Sequence, residues 1–303
     1  MVAFQTLFKA ARLPFLALTP VCLLLAYALA SRQIPDVSLR DAGLVFIGAL
    51  AAHLAVNLLN EYQDFRSGLD LITRRTPFSG GSGALPGDPQ SAPLVLKASY
   101  ACLLLVCLVG GYFLFQAPLQ MHTRLMLLII GLTGLGVIVS YTRHLNRFPW
   151  LCLIAPGLGF GLLMVSGAVL LLAGEVTVQT LLLSLVPFFH INNLLLLNQY
   201  PDIEADKSVG RNHFVIAYGI TSSNRIFAIF MLLPFLLLGL LLSAGLLPLL
   251  SAIALLPLVP GLVVAVKLAR LREDIANSPQ YLALNVAVTL ATTLLLALSL
   301  LFA

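Results

Sequence analysis

Two stretches of this chain concentrate groups able to hold a metal ion and a phosphate. The first reads Asn57-Leu-Leu-Asn60-Glu61-Tyr-Gln-Asp64-Phe-Arg66-Ser-Gly68-Leu-Asp70, and the second Asn198-Gln-Tyr-Pro201-Asp202-Ile-Glu204-Ala-Asp206-Lys207-Ser-Val-Gly210-Arg211. Asn60 and Asp64 are four apart, as are Asn198 and Asp202, and the two pairs are offset by the same 138 residues, which suggests a weak internal duplication. Mg²⁺ takes oxygen ligands in an octahedron, using one or two carboxylates and completing its shell with water and phosphate. Asp64, Asp202 and Asp206 can supply carboxylates, and Asn60 and Asn198 neutral amide oxygens. Carboxylates alone would repel a diphosphate, so the ion is what brings the two anions together. Arg66, Arg74, Arg75, Lys207 and Arg211 are the cations available for the remaining phosphate charge, arginine by bidentate forks, and Asn57 joins them as a diphosphate-binding side chain. Such a set stabilises diphosphate as it leaves carbon.

A blander reading makes these acids loop residues near water, paired with Arg66, Lys207 and Arg211. It suits Glu61, Glu204 and Asp88 at least as well. Asp64, Asp202 and Asp206 recur at regular spacing in two segments, which favours the chemical reading for them. At 100° per residue, His53, Asn57, Asn60 and Asp64 share an arc of about 60° on one helix. A charged group facing lipid at mid-membrane costs ~2.5–3.5 kcal/mol, so this stripe must face a cavity or another helix.

The elements that position these groups are membrane helices. Of 303 residues, 60% are hydrophobic and 10% charged, against roughly 25% charged in soluble domains, and mean hydropathy is +1.01. That composition excludes a water-facing globule, a disordered chain, a collagen-like repeat and a small disulfide scaffold. With ~20 apolar residues per crossing, nine spans are expected at 14–31, 41–60, 93–115, 124–142, 150–172, 178–198, 221–245, 247–270 and 281–302. The fold class is an all-α bundle forming one membrane domain over residues 1–303. The first span follows Lys9 and Arg12 and is read as retained, because it lacks a small-residue cleavage site.

Nine spans put 14 of the 17 Lys and Arg residues on the side that holds the N-terminus, leaving Arg32, Arg40 and Arg124 opposite. The positive-inside rule then makes the N-terminus and both acidic segments cytoplasmic and the C-terminus external, in what is expected to be a prokaryotic cytoplasmic membrane. The net charge of +5 and the pI near 9.2 fit anionic headgroups or an anionic substrate, and nucleic acid is not needed to explain them. Cys22, Cys102, Cys107 and Cys152 all fall in spans with no CxxC pair and read as small hydrophobes.

The paired segments, nine spans and cytoplasmic loops resemble the UbiA superfamily of intramembrane prenyltransferases. The resemblance covers essentially the whole chain. The spacing Asn60…Asp64…Gly68…Asp70, with its third acid ten residues after the Asn, is closest to the menaquinone branch, the 1,4-dihydroxy-2-naphthoate prenyltransferases. Asp202…Asp206-Lys207…Gly210-Arg211 is similar to the family's DxxxD motif with its following basic residue and glycine. The resemblance implies two Mg²⁺ ions bridging the motifs and a polyprenyl diphosphate, with Asp70 added to the ligands. It also implies ionisation to an allylic cation, attack by an aromatic carbon that loses CO₂ in this branch, and a prenyl tail in an apolar groove open to lipid. Asp64, Asp202, Asp206 and, by analogy, Tyr141 are the expected catalytic residues. Two departures are visible. Glu61 stands where many members have Asp, and Tyr141-Thr142 is followed by Arg143-His144-Leu145 without the usual proline.

Gly80-Gly81-Ser82-Gly83 lacks the Lys-Ser/Thr ending of a nucleotide P-loop, which disfavours a nucleotide. It reads as a flexible loop over the site, with a backbone anion nest as the alternative. His53 and His190 read as core or cavity histidines, Trp150, Phe148 and Tyr112 as interfacial aromatics, and Arg143 and Arg147 as topology determinants. A transporter would also place Asn, Asp and His in the membrane, but these acids cluster at one face and not the midplane. A CDP-alcohol phosphotransferase would require an Asp-Gly…Ala-Arg lead-in that is absent. Another acceptor, such as a 4-hydroxybenzoate or a glycerol lipid, is the stronger rival.

Overall fold

A computed structural model describes residues 2–76, 78–115, 117 and 119–303. Among them every regular element is helical, and nine helices are long and apolar enough to cross a membrane: Leu13–Ser31, Leu39–Arg66, Pro89–Phe115, Met121–Ser140, Pro149–Ala173, Val178–Ser208, Phe214–Ser243, Leu249–Asn277 and Pro279–Leu301. They are numbered here first to ninth span. This is the expected all-α membrane bundle. Hydrocarbon offers no partner for free backbone groups, so each span must satisfy its own hydrogen bonds.

Local chemistry sets the ends. Ser38 caps the second span by accepting from the Asp41 N–H at 3.2 Å, and Thr177 caps the sixth by accepting from Thr180 N–H at 3.1 Å. Each leaves fewer orphan donors at a helix start. The second span does not stop at residue 60. Nothing between Glu61 and Arg66 breaks a helix, so it continues to Arg66 and ends at Gly68, whose φ of 81° only glycine adopts without strain.

The third span packs chiefly on the second, the first on the ninth and fifth, and the sixth on the fifth, seventh and ninth. The fifth and sixth spans form the interior, with 61% and 67% of their apolar windows buried, while the third and fourth bury only 17% and 11% and lie at the periphery. Gly157 and Gly161 explain the tight centre. A Cβ at Gly157 would sit 2.2 Å from the Phe188 carbonyl oxygen, and one at Gly161 2.5 Å from the Phe188 nitrogen. Small residues four apart let two membrane helices approach backbone to backbone. The Asn192 side chain seals the contact, accepting from Gly157 N–H at 2.6 Å. The chain then passes through a π-helical stretch, Leu158–Val165.

The cysteines are all free. Cys22 and Cys152 are buried as expected, but Cys107 is exposed on the third span, because that helix has little protein around it. His53 and His190 are buried, His53 against Thr19 Oγ1 at 2.9 Å. Trp150 and Phe148 are exposed.

Candidate active site

The extended second span carries Asp64 to the end of the bundle, where its side chain is buried. There it meets Arg211, whose Nη2 donates to Asp64 Oδ1 while Nη1 donates to Asp206 Oδ1 at 2.9 Å. One guanidinium therefore joins the two acidic segments across 147 residues of sequence. Arg211 is turned into position by Gly210, with φ 80°, and its own N–H returns to the Asp206 carbonyl at 3.0 Å. The second Asp206 oxygen lies 3.1 Å from His213 Nε2.

A strap formed by residues 73–84 crosses these acids. Thr73 Oγ1 donates to Asp202 Oδ1 and Gly80 N–H to Asp202 Oδ2, both at 3.1 Å. Ser82 donates twice to the fully buried Glu61, from its hydroxyl at 2.5 Å and its N–H at 3.2 Å. Arg75 Nη2 donates to the Asp70 carbonyl at 3.1 Å, and its side chain runs beside Gly83, where a Cβ would lie 2.6 Å from Nε. The glycine-rich loop thus covers the carboxylates, with its amides aimed at negative charge. Pro77, within this loop, lies outside the described residues.

Two further edges close the pocket. Asn60 Nδ2 donates to Thr142 Oγ1 at 3.1 Å, and Asn146 donates to the Thr142 carbonyl. Tyr141 sits beside Cys152 within the field of Arg211 and Asp206, and burial pushes its phenol pKa up. On the other side Arg12, between the N-terminal helix Val2–Ala10 and the first span, places Nη2 3.8 Å from Glu61. Arg12 has φ 51°, a left-handed conformation that costs a non-glycine residue of order 1–3 kcal/mol. The Ala11 carbonyl beside it accepts from Asn57 Nδ2 at 3.0 Å.

Asp64, Asp206, Arg211 and Tyr141 thus come together, with Asp202, Glu61 and Asp70 tied in through the strap. Several candidates stand differently. Asn57 donates its amide to the Ala11 backbone, which fixes the start of the first span. Arg74 is exposed and reaches Asn277 Oδ1 at 3.1 Å. Arg66 and Lys207 are exposed, and neither ion-pairs with an acid among the described residues. Asn198 is buried at the end of the sixth span's regular helix.

The expected duplication fails as geometry. Asn60 and Asp64 share one continuous helix, whereas the α-helix ends at Asn198 and Tyr200–Asp202 form a 3₁₀ turn. Pro201 has no N–H to donate to the preceding turn and its ring crowds the carbonyl four residues back, which favours the 3₁₀ turn found there.

Sequence reasoning used Arg12 only as a topology charge, named Ser82 and Thr142 only within their motifs, and overlooked Thr73, Asn146 and His213. His213 alone left a readable signal, seven residues after Asp206 in a polar stretch.

Among the described residues no three Asp, Glu, His or Cys side chains are assembled for a metal, since Arg211 stands between Asp64 and Asp206. The donor set nevertheless fits a hard divalent cation. Both carboxylate oxygens of Asp70 are buried and lack a hydrogen-bond partner among the described residues. A Cβ on Gly81 would lie 2.3 Å from Asp70 Oδ1, so only glycine admits that acid. Burial first, then the charges of Glu61 and Asp64, push the Asp70 pKa up to about 7. Among the described residues, Glu61, Asp64, Asp70, Asp202 and Asp206 gather at one end of the bundle, with Arg12 beside Glu61, Arg75 on the Asp70 carbonyl and Arg211 between Asp64 and Asp206. An oxygen-only donor set with surplus negative charge is what Mg²⁺ accepts.

The chain is an all-helical membrane bundle that brings acids from two remote segments to one end. Residues 18–287 match the profile of the UbiA prenyltransferase family, and the chain belongs to that family.

The 1,4-dihydroxy-2-naphthoate octaprenyltransferase of Bacillus subtilis (strain 168) is 25% identical over 184 residues, 58% of this chain and 54% of that protein. The matched stretch therefore spans about half of that relative's length. The fold is similar to that of digeranylgeranylglyceryl phosphate synthase, with TM-score 0.68, 15% identity and all of both chains covered. It is also similar to a UbiA homolog from Archaeoglobus fulgidus bound to DMAPP and Mg²⁺, with TM-score 0.62, 15% identity and 93% of this chain and 99% of that one covered. The apo UbiA homolog from Aeropyrum pernix K1 gives TM-score 0.60 at 18% identity, over 91% of this chain and 94% of that one.

Proposed function

We propose that this protein transfers a polyprenyl group from its diphosphate to 1,4-dihydroxy-2-naphthoate, with Mg²⁺ held by the two acidic segments. The observation that carries the reading is the convergence of Asp64 and Asp206 on one guanidinium, beside an Asp70 whose buried oxygens have no partner among the described residues. In this reading Asp64, Asp70, Asp202 and Asp206 hold the ion, with Asn60 and Asn198 as neutral ligands. Bound there, Mg²⁺ supplies the positive charge that lets diphosphate sit among carboxylates and depart.

The chain's own groups do the rest. Asp64 and Asp206, which Arg211 holds here, would hold the ion, and the Arg211 fork would then be free for phosphate oxygens. Arg75 and Lys207, and Arg66 and Arg74 from the exposed rim, attract the anion. The strap amides of Gly80 and Ser82 face the same charge, and the strap shields the allylic cation from water. The Tyr141 phenol, neutral at any physiological pH, presents its face or hydroxyl to that cation.

An apolar groove lined by Leu23, Leu24, Tyr27, Val45, Phe46 and Leu172 supports a path for the tail. Phe46 lies 18 residues, or five turns, before Asp64, hence on the same helix face about 27 Å away. The acceptor assignment is supported by the spacing of Asn60 and Asp70 and by the Bacillus relative. The charge asymmetry supports a cytoplasmic site in a prokaryotic membrane.

The test is purified protein with Mg²⁺, geranylgeranyl diphosphate and a panel of acceptors, read by mass spectrometry. A decarboxylated, prenylated naphthol is expected. Product only from 4-hydroxybenzoate or a glycerol lipid overturns the acceptor, and turnover that survives a chelator overturns the metal assignment.

A further inference from the structure

The N-terminal helix Val2–Ala10 plays no part in the chemistry above, yet it is built with three distinct sides. At 100° per residue, Thr6 and Ala10 share one side and are buried. Phe4 and Phe8 share a second, 64% and 47% exposed, with ring centroids 4.6 Å apart. Gln5 and Lys9, both exposed, share a third. The Phe side continues into exposed Leu13 at the start of the first span.

The buried side packs on the far end of the strap. Thr6 Oγ1 donates to Asp88 Oδ2 at 2.8 Å, an atom that also accepts from Ser91. Ala10 clusters with Ala84 and Leu85. Immediately after the helix comes Arg12, beside Glu61.

We propose that Val2–Ala10 lies in the headgroup boundary of the leaflet on the acid-bearing side and that, held there by anionic lipid, it steadies the strap over the pocket. Charge and continuity select this occupant. An apolar ridge bordered by a basic edge is the pattern of an interfacial helix. Beyond the left-handed turn at Arg12, the ridge is followed by exposed Leu13 at the start of the first span. Lys9 and Arg12 lie on the side carrying 14 of the 17 basic residues, the side that attracts anionic headgroups. The docking stands by itself, whereas the effect on the strap rests on the proposed reaction.

The experiment uses the full chain with Trp150, its one tryptophan, replaced (Trp150→Phe) and an indole introduced by Phe4→Trp. It is reconstituted in phosphatidylcholine–phosphatidylglycerol vesicles. Lipids brominated near the headgroup are expected to quench that indole by about half or more, and aqueous iodide only weakly. Strong iodide quenching without bromolipid quenching overturns the docking and indicates a helix facing water or another protein.

In the second arm, Phe4→Glu/Phe8→Glu is expected to lower turnover roughly threefold to tenfold in the same vesicles, while Gln5→Ser leaves it unchanged. Full turnover in the double variant, with bromolipid quenching intact for Phe4→Trp, overturns the link to the strap. A wild-type protein that turns over none of the tested acceptors defeats the proposed reaction and leaves the quenching result standing.

Discussion

Asn60…Asp64 and Asn198…Asp202 carry the same residue types at the same spacing, yet the bundle presents them in different ways. The first pair rides on an unbroken helix that projects Asp64 straight at Arg211. The second is split by Pro201, so Asp202 turns toward Thr73 and Gly80 of the strap, and Asp206 takes the place facing Asp64 through Arg211. The acid that faces Asp64 through Arg211 is therefore Asp206, while Asp202 is the acid that the covering loop holds. Equal spacing gives equal chemistry in the chain, and geometry then divides it: one acid on the long second span, one on the short helix Ile203–Ser208 and one held by the strap.

If this division is right, removing either side of the pocket should be equally fatal to turnover. Asp64→Ala and Asp202→Ala are each expected to lose more than ~10³-fold in kcat, since each removes a proposed ligand of the ion that stabilises the departing diphosphate. Product formation by mass spectrometry measures this, with size-exclusion profiles in detergent reporting that insertion and folding persist. An unchanged rate in one of the two would reduce the site to a single acidic segment.

Next in size is the link itself. Arg211→Met leaves two buried carboxylates without their cation, and breaking such a pair typically costs 3–5 kcal/mol. A loss of roughly 3 kcal/mol is expected here, seen as a lowered thermal midpoint in chelator-treated protein. Lys207→Met, at an exposed position, should change stability by less than ~0.5 kcal/mol. Equal effects from the two would show that Arg211 does not join the halves.

A smaller change tests the helix break. Pro201→Ala restores the N–H that the sixth span lacks and should let its helix run on, drawing Asp202 away from Thr73 and Gly80. The cost expected is about tenfold in turnover, the equivalent of one misplaced hydrogen bond at ~1.4 kcal/mol. Helix continuity can be read from amide exchange at Asp202 and Ile203. Slower exchange there with unaltered turnover would mean the break has no bearing on the site.

The sequence disclosed much of this architecture, and its failures have physical causes. All nine spans were legible because lipid demands long apolar runs, and the acids because so few charges occur among them. The end of the second span was not. Apolarity stops near Asn60, but a helix needs only the absence of a breaker, and the first arrives at Gly68. The Glu61–Ser82 and Asp202–Gly80 contacts were invisible because loop closure leaves no period in the chain. Arg12 escaped for a related reason: its role depends on a left-handed turn that no glycine or proline announces. The short helix before it was hidden by the apolar run it precedes.

The mildest prediction concerns Asp70, which sharpens the contrast between the site's hydrogen-bonded acids and one whose buried oxygens lack a partner among the described residues. Its pKa rises from an ordinary 3.8 to about 7, by burial and then by the charges of Glu61 and Asp64. A carboxylic acid with a raised folded pKa is favoured in its neutral form by folding. Its contribution is therefore complete below about pH 4 and is lost as pH climbs through about 7. In a chelator, wild-type protein should lose thermal stability over that interval, and Asp70→Asn, which stays neutral, should show a flatter profile. Adding Mg²⁺ at pH 7.5 should raise the wild-type midpoint by selecting the ionised acid and raise that of Asp70→Asn less. A profile for Asp70→Asn as steep as wild type's would assign the pH dependence to another group, and an equal Mg²⁺ response in the two would remove Asp70 from the ion's ligands while leaving Asp64 and Asp206 in place.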